Sequence, residues 1–434
     1  MGKLGLVLEG GGAKGAYQVG AYKALMELGI EIDGIAGTSI GAINGAMIAQ
    51  GSFERCYDVW HGIRPSTLFD VDEGYIKRII GFELDEKSLS YAAKAIKEIM
   101  QNNGLDTTLV KGIIRDNIDE KMLRDSKMDF GFVTFSLTDM KPLELYKEDV
   151  PLGKMHDYIM ASASVPVFKL EKIDNKIFID GGFHDNMPVN LLARKGYKDI
   201  IVIRSFGMGR VKKVDHENLN ITYITPSEPL GRTLDFTNDK ALRNIEMGYY
   251  DTLRLYRGYR GEKYCIETDA GEDFFLDFFK GLDEKTVLEM GRVFGISGMP
   301  WRRMLFEHIL PRMAAVLDLK DTATYGDLLL RFLEQQAKAY NVNRFAVYSM
   351  EELFNEAKKK YKPTNSGVFN KLPDFVKQNE LLMLSRNVKD EILAEFMGIL
   401  MNREEKKTDL FISDKANRKV ARDIEKGRKR NGKQ

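Results

Sequence analysis

Apolar residues near the start of the chain occur in two forms, as short unbroken runs and as helically spaced positions. Leu4–Leu8 is a short apolar run, which predicts a buried strand. Residues 16–28 have near-helical apolar spacing, and Gly29 follows as a helix terminator. Residues 30–36 and 42–49 repeat this order as a second strand and helix. The alternation predicts an α/β protein with a largely parallel central sheet flanked by helices.

The pattern changes in the second half of the chain. Further strands are predicted over 130–138, 176–179 and 199–204, and helices over 86–102 and 107–124. Beyond residue 259 the helical segments are 283–294, 302–317, 325–340 and 375–401, with few strand-like runs. We therefore predict an α/β domain over 1–258, a mainly helical accessory region over 259–414, and a basic, mobile tail over 415–434.

Glycine is concentrated at the start of the chain, with 13 of the 39 glycines in the first 51 positions. Residues 10–15 read Gly-Gly-Gly-Ala-Lys-Gly between the first strand and the first helix. This loop fits an oxyanion loop of acyl-transfer enzymes, a dinucleotide site or a plain turn. Asp33, 18 positions after Gly15, would be the ribose-binding acid of a dinucleotide site. Lys14 adds a positive charge there or is a solvated loop lysine.

A second glycine motif favours the first interpretation. Residues 37–41 read Gly-Thr-Ser-Ile-Gly between the second strand and helix, the pattern of a nucleophile elbow. Gly37 and Gly41 leave room for the sharp turn, which projects the Ser39 hydroxyl at a helix N-terminus. Ser39 is thus the candidate nucleophile, and the N–H groups of Gly10, Gly11 and Gly12 are the candidate oxyanion donors.

Histidine is the usual general base for a serine nucleophile, but this sequence offers no evident histidine for that role. None of the five histidines occupies a loop suited to that role; they are His61, His156, His184, His216 and His308. Asp180 ends the predicted strand 176–179 and is followed by Gly181 and Gly182, which leave it accessible. Desolvation there would raise its affinity for a proton. Taken alone, these residues are better explained by an ordinary Asp-Gly-Gly turn.

Taken in order, the three motifs resemble those of the patatin-like phospholipase family. The resemblance implies a serine–aspartate dyad without histidine, with Ser39 as nucleophile, Asp180 as base and Gly10 to Gly12 as oxyanion loop. The segment from Asp185 through Asn186 to Val189 is also similar to the family pattern, as is the stretch 161–166. The resemblance covers roughly the first 258 residues. The supporting positions it implies are Lys14, Gly15, Gly37, Gly41, Gly181, Gly182 and Asn186.

Composition excludes several classes of protein. The chain has 434 residues, 30% of them charged, and only two cysteines, so we expect neither a disulfide scaffold nor a structural zinc site. No targeting segment is visible, and the uncharged run 34–53 contains too few apolar residues for a membrane span. We therefore expect a cytoplasmic protein, and a peripheral contact with the membrane surface is compatible with this location.

Charge is unevenly distributed although the net charge is +1. Residues 415–434 contain nine lysines and arginines against two acids, so they carry +7 and the rest carries −6. A nucleic-acid-binding body is disfavoured. The tail is either a solvated end or a contact for anionic membrane. Likewise, the phenylalanines at 274, 275, 278 and 279 are either a core-packing stripe or a lipid-facing, acyl-chain-lining patch.

These patterns support one leading hypothesis and two alternatives. The leading hypothesis is a lipid acyl hydrolase of phospholipase or lysophospholipase type, which needs no metal or other cofactor. Its expected partners are a lipid ester substrate and, transiently, a membrane surface; nucleic acid is not expected. The alternatives are a dinucleotide-binding oxidoreductase that uses the loop 10–15, and a non-catalytic protein that binds a partner.

Overall fold

The computed structural model describes residues 2–68, 106–165, 168–169, 172–362, 372–377 and 385–402. The helix predicted over 86–102 and the basic tail over 415–434 lie outside these ranges. By its internal contacts the chain divides into two compact units, Met1–Leu255 and Tyr256–Gln434.

The first unit is organised around a central sheet. Its strands within the described ranges are β1 (Leu4–Leu8), β2 (Gly34–Thr38), β3 (Asp129–Ser136), β4 (Lys141–Tyr146), β5 (Lys172–Ile173), β6 (Lys176–Asp180), β7 (Asp199–Ile203) and β8 (Asn220–Ile224). They are ordered β5-β6-β3-β2-β1-β7-β8, and β4 also pairs with β3. Strands β3, β2, β1, β7 and β8 are parallel, whereas β4 and β6 run antiparallel to β3. The predicted α/β class with a largely parallel sheet is confirmed.

The helices of this unit follow the strands. They are α1 (Gly15–Glu27), α2 (Ile40–Ala49), α3 (Phe53–Gly62), α4 (Pro65–Leu68), α5 (Thr108–Asn117), α6 (Glu120–Asp125), α7 (Met155–Ser162), α8 (Val189–Arg194) and α9 (Asn238–Arg257). Both α1 and α2 are buried along nearly their whole length, because the sheet and other helices cover them. Within the described ranges, no helix combines the length and apolar character needed to cross a membrane.

One edge of β3 is shared by two strands. Residues 129–133 of β3 pair with β2, and residues 134–136 pair with β6. Because β4 pairs with residues 131–136, it must occupy the opposite edge. The ends of β2 and β6 therefore meet head to head, with Thr38 beside Val133 and Asp180 beside Thr134.

Two predicted elements of this unit differ from the structure. The strand predicted over 30–36 begins only at Gly34, because the chain first closes the end of α1, where the Ile30 N–H donates to the Leu25 carbonyl. The helix predicted over 107–124 is two helices, α5 and α6. Asp119 separates them, because its carboxylate accepts the Met122 N–H and so caps the start of α6.

The second unit is mainly helical, as predicted. Its described helices are α10 (Glu272–Lys280), α11 (Glu284–Val293), α12 (Trp301–Arg303), α13 (Leu310–Val316), α14 (Tyr325–Ala339), α15 (Met350–Lys360), α16 (Asp374–Lys377) and α17 (Arg386–Met401). A π-helical turn, Met304–Ile309, joins α12 to α13 within the helix predicted over 302–317. Two-residue strands β9 (Cys265–Ile266) and β10 (Val347–Tyr348) pair in parallel.

The phenylalanine stripe of α10 packs into the core of the second unit. Phe275 and Phe279 are buried there, and Phe274 and Phe278 pack against the same core. A cavity of about 30 Å³ lies beside Phe278 and Phe279, lined by apolar side chains. The structure thus favours the core-packing interpretation of the stripe.

Helices α1 and α9 approach each other at two glycines. A Cβ atom on Gly20 would lie 1.8 Å from the Ile245 carbonyl oxygen, and one on Gly248 would lie 2.0 Å from the Tyr17 carbonyl oxygen. Real Cβ atoms do not come so close to backbone, so this contact requires glycine on both helices.

Two glycine-to-alanine substitutions should therefore have opposite effects on stability. Gly20→Ala should destabilise the fold by about 2 kcal/mol or more, because the added methyl group overpacks a backbone contact. Gly112→Ala, in α5, meets nothing within 4 Å and should stabilise by about 0.5–1 kcal/mol through helix propensity. Denaturant unfolding of both variants measures the difference. Equal effects of the two substitutions would contradict the packing argument.

Candidate active site

Ser39 occupies a strained turn between β2 and α2. Its backbone angles are φ 58° and ψ −127°, in a region that residues with side chains rarely adopt. The residue is 8% exposed and forms the N-cap of α2. The turn thus presents a serine hydroxyl at a helix N-terminus, where partial positive charge favours a developing anion.

The two glycines that flank this turn are required by space. A Cβ atom on Gly37 would lie 2.2 Å from the Gly41 carbonyl oxygen, in the first turn of α2. A Cβ atom on Gly41 would lie 2.2 Å from the Leu8 carbonyl oxygen at the end of β1. The Gly-x-Ser-x-Gly spacing therefore follows from how closely α2 returns over β2 and β1.

Ser162, at the end of α7, holds the backbone of Ser39. The Ser39 N–H donates to Ser162 Oγ at 3.1 Å, and Ser162 Oγ donates to the Val133 carbonyl at 2.6 Å. Ser162 is fully buried, so water does not compete for these bonds. The sequence placed this residue only within the family-like stretch 161–166; a serine at the end of a helix gives no stronger signal.

Asp180 lies beside Ser39 because β6 ends there. Its Oδ1 accepts the Gly182 N–H at 2.7 Å, and its own N–H donates to the Ser164 carbonyl at 2.9 Å. Its Oδ2 is buried and has no hydrogen-bond partner in the part of the chain that the structure describes. Burial raises the pKa of Asp180 to about 6, against the opposing effects of the Ser39 hydroxyl and the Gly182 N–H. The Ser39 hydroxyl is thus near the carboxylate, without a hydrogen bond of normal geometry to Oδ2.

The first glycine loop faces the same turn, but its amides are not equivalent. The Gly10 N–H donates to the Asn186 carbonyl at 3.0 Å and is not available to a ligand. Among the described residues, the N–H groups of Gly11, Gly12 and Ile40 have no hydrogen-bond acceptor. Ile40 directly follows the serine, a position the sequence analysis did not single out. These three donors are the ones that could bind an oxyanion.

Buried polar side chains hold the glycine loop in place. Asn186 Nδ2 donates to the Gly10 carbonyl at 3.1 Å, and Ser205 Oγ donates to the same oxygen at 2.7 Å. Glu9 is 1% exposed, and its carboxylate accepts the N–H groups of Ser205 and Phe206 as well as the Arg204 guanidinium. Neither Glu9 nor Ser205 was predicted from the sequence. A single acidic residue after a strand forms no recognisable motif, because its partners lie nearly 200 residues away in the sequence.

The remaining predicted positions have structural contacts. Lys14 Nζ donates to the Phe206 carbonyl at 2.9 Å, so it ties the glycine loop to the loop after β7. Gly15 packs against Ile40 and Trp60, and a Cβ atom on Gly181 would lie 2.1 Å from the Val133 carbonyl oxygen. Gly182 donates to Asp180, as described above.

None of the five histidines, all of which lie within the described ranges, hydrogen bonds to Ser39 or Asp180. His184, four residues after Asp180, lies 3.3 Å from Glu144 and not from the serine. His156 contacts the Ile118 carbonyl, His216 lies 3.4 Å from Asp215, and His61 stacks on Tyr57. In the described ranges, no group of three or more His, Cys, Asp or Glu residues is arranged to hold a metal ion.

Asp33 lies at the opposite end of the sheet from the glycine loop. It directly precedes β2, and its carboxylate accepts the Leu4 N–H at the start of β1. The glycine loop follows the other end of β1, so the five-residue strands separate the two by roughly 16 Å. A dinucleotide at the loop would need its ribose-binding acid at the carboxyl end of β2, and Asp33 is not there.

This fold and geometry define an α/β protein with a strained Gly-x-Ser-x-Gly turn between a parallel strand and a helix. Residues 6–193 match the sequence profile of the family described as Patatin-like phospholipase. The resemblance predicted from the three motifs is thereby confirmed over this part of the chain.

Among curated proteins, the chain is similar to Patatin-like phospholipase domain-containing protein 7 of Rattus norvegicus, with 29% identity over 203 residues. That match covers 46% of this chain and 13% of the rat protein. It is also similar to Lysophospholipase NTE1 of Cryptococcus neoformans, with 27% identity over 46% of this chain and 11% of that protein. The chain thus matches only about an eighth of the length of these relatives. Among solved structures, VipD from Legionella pneumophila aligns with a TM-score of 0.37 and 14% identity, covering 93% of this chain and 92% of VipD.

The raised pKa of Asp180 predicts a pH-dependent cost to folding. Because the folded state holds this proton more tightly, stability should fall as pH rises from about 4 through 6. The charged carboxylate costs about 3 kcal/mol above that window, by the conversion of pKa into free energy. Asp180→Asn should remove this cost, so the variant should be more stable than the wild type at pH 7 and nearly equal to it at pH 4.

Urea unfolding of both proteins across pH 4–8 measures this difference. Asp58→Asn, at an exposed position, is the matched control and should change stability by less than about 0.5 kcal/mol. A stability difference for Asp180→Asn that does not vary with pH would show that burial does not perturb the carboxylate.

Proposed function

We propose that the first unit is a lipid acyl hydrolase in which Ser39 is the nucleophile and Asp180 is the general base. The observation that carries this proposal is the head-to-head meeting of β2 and β6, which brings a strained serine beside a buried, incompletely hydrogen-bonded carboxylate. The family match and the relatives named as lysophospholipases support an ester of a phospholipid or lysophospholipid as substrate.

The first half of the reaction forms an acyl-serine. Asp180 accepts the hydroxyl proton of Ser39 as Oγ attacks the ester carbonyl carbon. The carbonyl oxygen becomes an oxyanion, and the N–H groups of Gly11, Gly12 and Ile40 donate to it. Protonated Asp180 then gives its proton to the departing alcohol as the carbon–oxygen bond breaks. Each oxyanion donor of this kind typically contributes about 10²–10³ in rate.

The second half releases the fatty acid. Asp180 accepts a proton from water as the water oxygen attacks the acyl carbon, and Ser39 recovers a proton from Asp180 when it leaves. A base works best when its pKa is near the working pH. A carboxylate in water is too weak a base, and burial brings the pKa of Asp180 to about 6, closer to neutrality. The incompletely hydrogen-bonded Oδ2 is the oxygen we assign to this proton transfer.

The setting of this reaction is part of the same proposal. Its partners are a lipid ester and, transiently, a membrane surface, and the chemistry calls for no cofactor. Two buried free cysteines, Cys56 and Cys265, fit a reducing compartment such as the cytoplasm. The position of Asp33 argues against the dinucleotide alternative. The non-catalytic alternative is decided by the labelling experiment that follows.

A fluorophosphonate probe should label wild-type protein at Ser39 and should not label Ser39→Ala. Hydrolysis of a short-chain nitrophenyl ester by Ser39→Ala and by Asp180→Asn should fall by at least about 10³, and the double variant should be no worse, because members of one catalytic unit are not additive. Mass spectrometry of the labelled peptide and steady-state kinetics measure these outcomes. Unlabelled wild-type protein, or a histidine variant that is silent while Asp180→Asn is active, would contradict the dyad.

Ser162→Ala should lower kcat by about 10–100-fold with little change in KM, because the Ser39 N–H loses its acceptor and the strained turn relaxes. Ser164→Ala is the matched control, since its hydroxyl donates to the Met160 carbonyl within α7 and not, among the described residues, to the serine turn. Kinetics of both variants on the nitrophenyl ester test the positioning role. Similar losses in both would show general damage to this segment.

A further inference from the structure

Large apolar side chains are exposed on two loops beside the candidate active site. Phe183 follows the Asp180 turn, and Phe206, Met208 and Val211 lie on the loop after β7. Their exposed fractions are 55%, 54%, 55% and 42%. Four such side chains on two adjoining loops form more than the scattered exposure that is normal on a protein surface. We call these four residues the apolar rim.

Hydrogen bonds join the two loops to each other and to the catalytic turn. The Arg210 N–H donates to the Gly182 carbonyl at 2.8 Å, beside Asp180. Asn186 Nδ2 bridges the Gly10 and Gly207 carbonyls. The Phe206 N–H is bound by the buried Glu9 carboxylate. The apolar rim therefore adjoins both the glycine loop and Asp180, and is held in fixed relation to them.

The first part of the loop after β7 is basic. Residues 204–214 read Arg-Ser-Phe-Gly-Met-Gly-Arg-Val-Lys-Lys-Val, with four cations and no acid, and two exposed acids, Asp215 and Glu217, follow before β8 begins. Arg210 and Lys213 are exposed. Arg204 forms an ion pair with the buried Glu9, and Lys212 forms one with Glu144. These two cations are therefore less open to a ligand than Arg210 and Lys213. Apolar and basic side chains alternate on an exposed loop, which suits the boundary between headgroups and acyl chains of an anionic bilayer.

We propose that the apolar rim, with Arg210 and Lys213, docks the first unit on the surface of an anionic phospholipid bilayer. The apolar side chains enter the headgroup region, and the two cations meet lipid phosphates. This would seat Ser39 at the depth where ester bonds lie. The docking surface deepens the proposed function by naming the physical form of its substrate, but binding itself does not require Ser39 to react.

Vesicle co-sedimentation of the full chain tests the surface separately from catalysis. The probes are vesicles of phosphatidylcholine alone and of phosphatidylcholine with 30% phosphatidylglycerol. Phe206→Ser combined with Met208→Ser should weaken binding to the anionic vesicles at least tenfold. Arg210→Gln combined with Lys213→Gln should weaken the same binding several-fold at low salt and little at high salt. Met140→Ser combined with Leu152→Ser is the matched control, at positions 70% and 88% exposed, and should bind like the wild type.

Several outcomes would contradict the proposed docking surface. They are wild-type-like binding by the rim variant, an equal loss in the Met140 and Leu152 control, binding lost only on removal of residues 415–434, and no binding of the wild type to either vesicle. Ser39→Ala protein should bind as the wild type does. If the wild type binds through the rim but neither reacts with the fluorophosphonate nor hydrolyses ester, the docking surface stands and the proposed function fails.

Discussion

The candidate site depends on the length of one strand. Because β3 extends beyond the end of β2, β6 can pair on the same edge and run back toward it. Two strands that are far apart in sequence then end beside consecutive residues of β3. A parallel sheet alone would place strand ends only side by side. The antiparallel β6 supplies the second approach, and it delivers a carboxylate to the serine turn from the other direction.

A second constraint is which backbone N–H groups near the ends of β2 and β6 already have a hydrogen-bond acceptor. The amides of Ser39 and Gly10 are both consumed, by Ser162 and by the Asn186 carbonyl. These bonds hold the strained turn and the glycine loop in place, whereas the neighbouring amides of Ile40, Gly11 and Gly12 have no acceptor among the residues that the structure describes. A buried amide without an acceptor costs stability. The fold accepts part of that cost at Gly11, which is buried, as it accepts the buried carboxylate of Asp180.

Much of this arrangement was predictable from local sequence. β1, α1 and the serine turn follow from apolar runs and glycine spacing, because those signals act within a few residues. The contributions of Ser162 and Glu9 were not predictable, since each acts through partners that only the folded chain brings near. The spacing of the glycines also could not predict that the Gly10 N–H donates to the Asn186 carbonyl. Helix boundaries were missed where a local cap competed with apolar spacing, as at Asp119 between α5 and α6.

The strand order gives Ser39 two chemically different sides. The glycine loop follows β1, which lies beside β2, whereas Asp180 ends β6, which meets β2 end to end along the same edge of β3. In the proposed reaction, a carbonyl oxygen would point toward the β1 side, and the departing alcohol would have to reach the proton on the β6 side. An ester could then present only one prochiral face to the serine, and the tetrahedral carbon would form with a single handedness. The strand pairing would therefore decide which face of the ester carbonyl is attacked, even without a side chain that contacts the rest of the substrate.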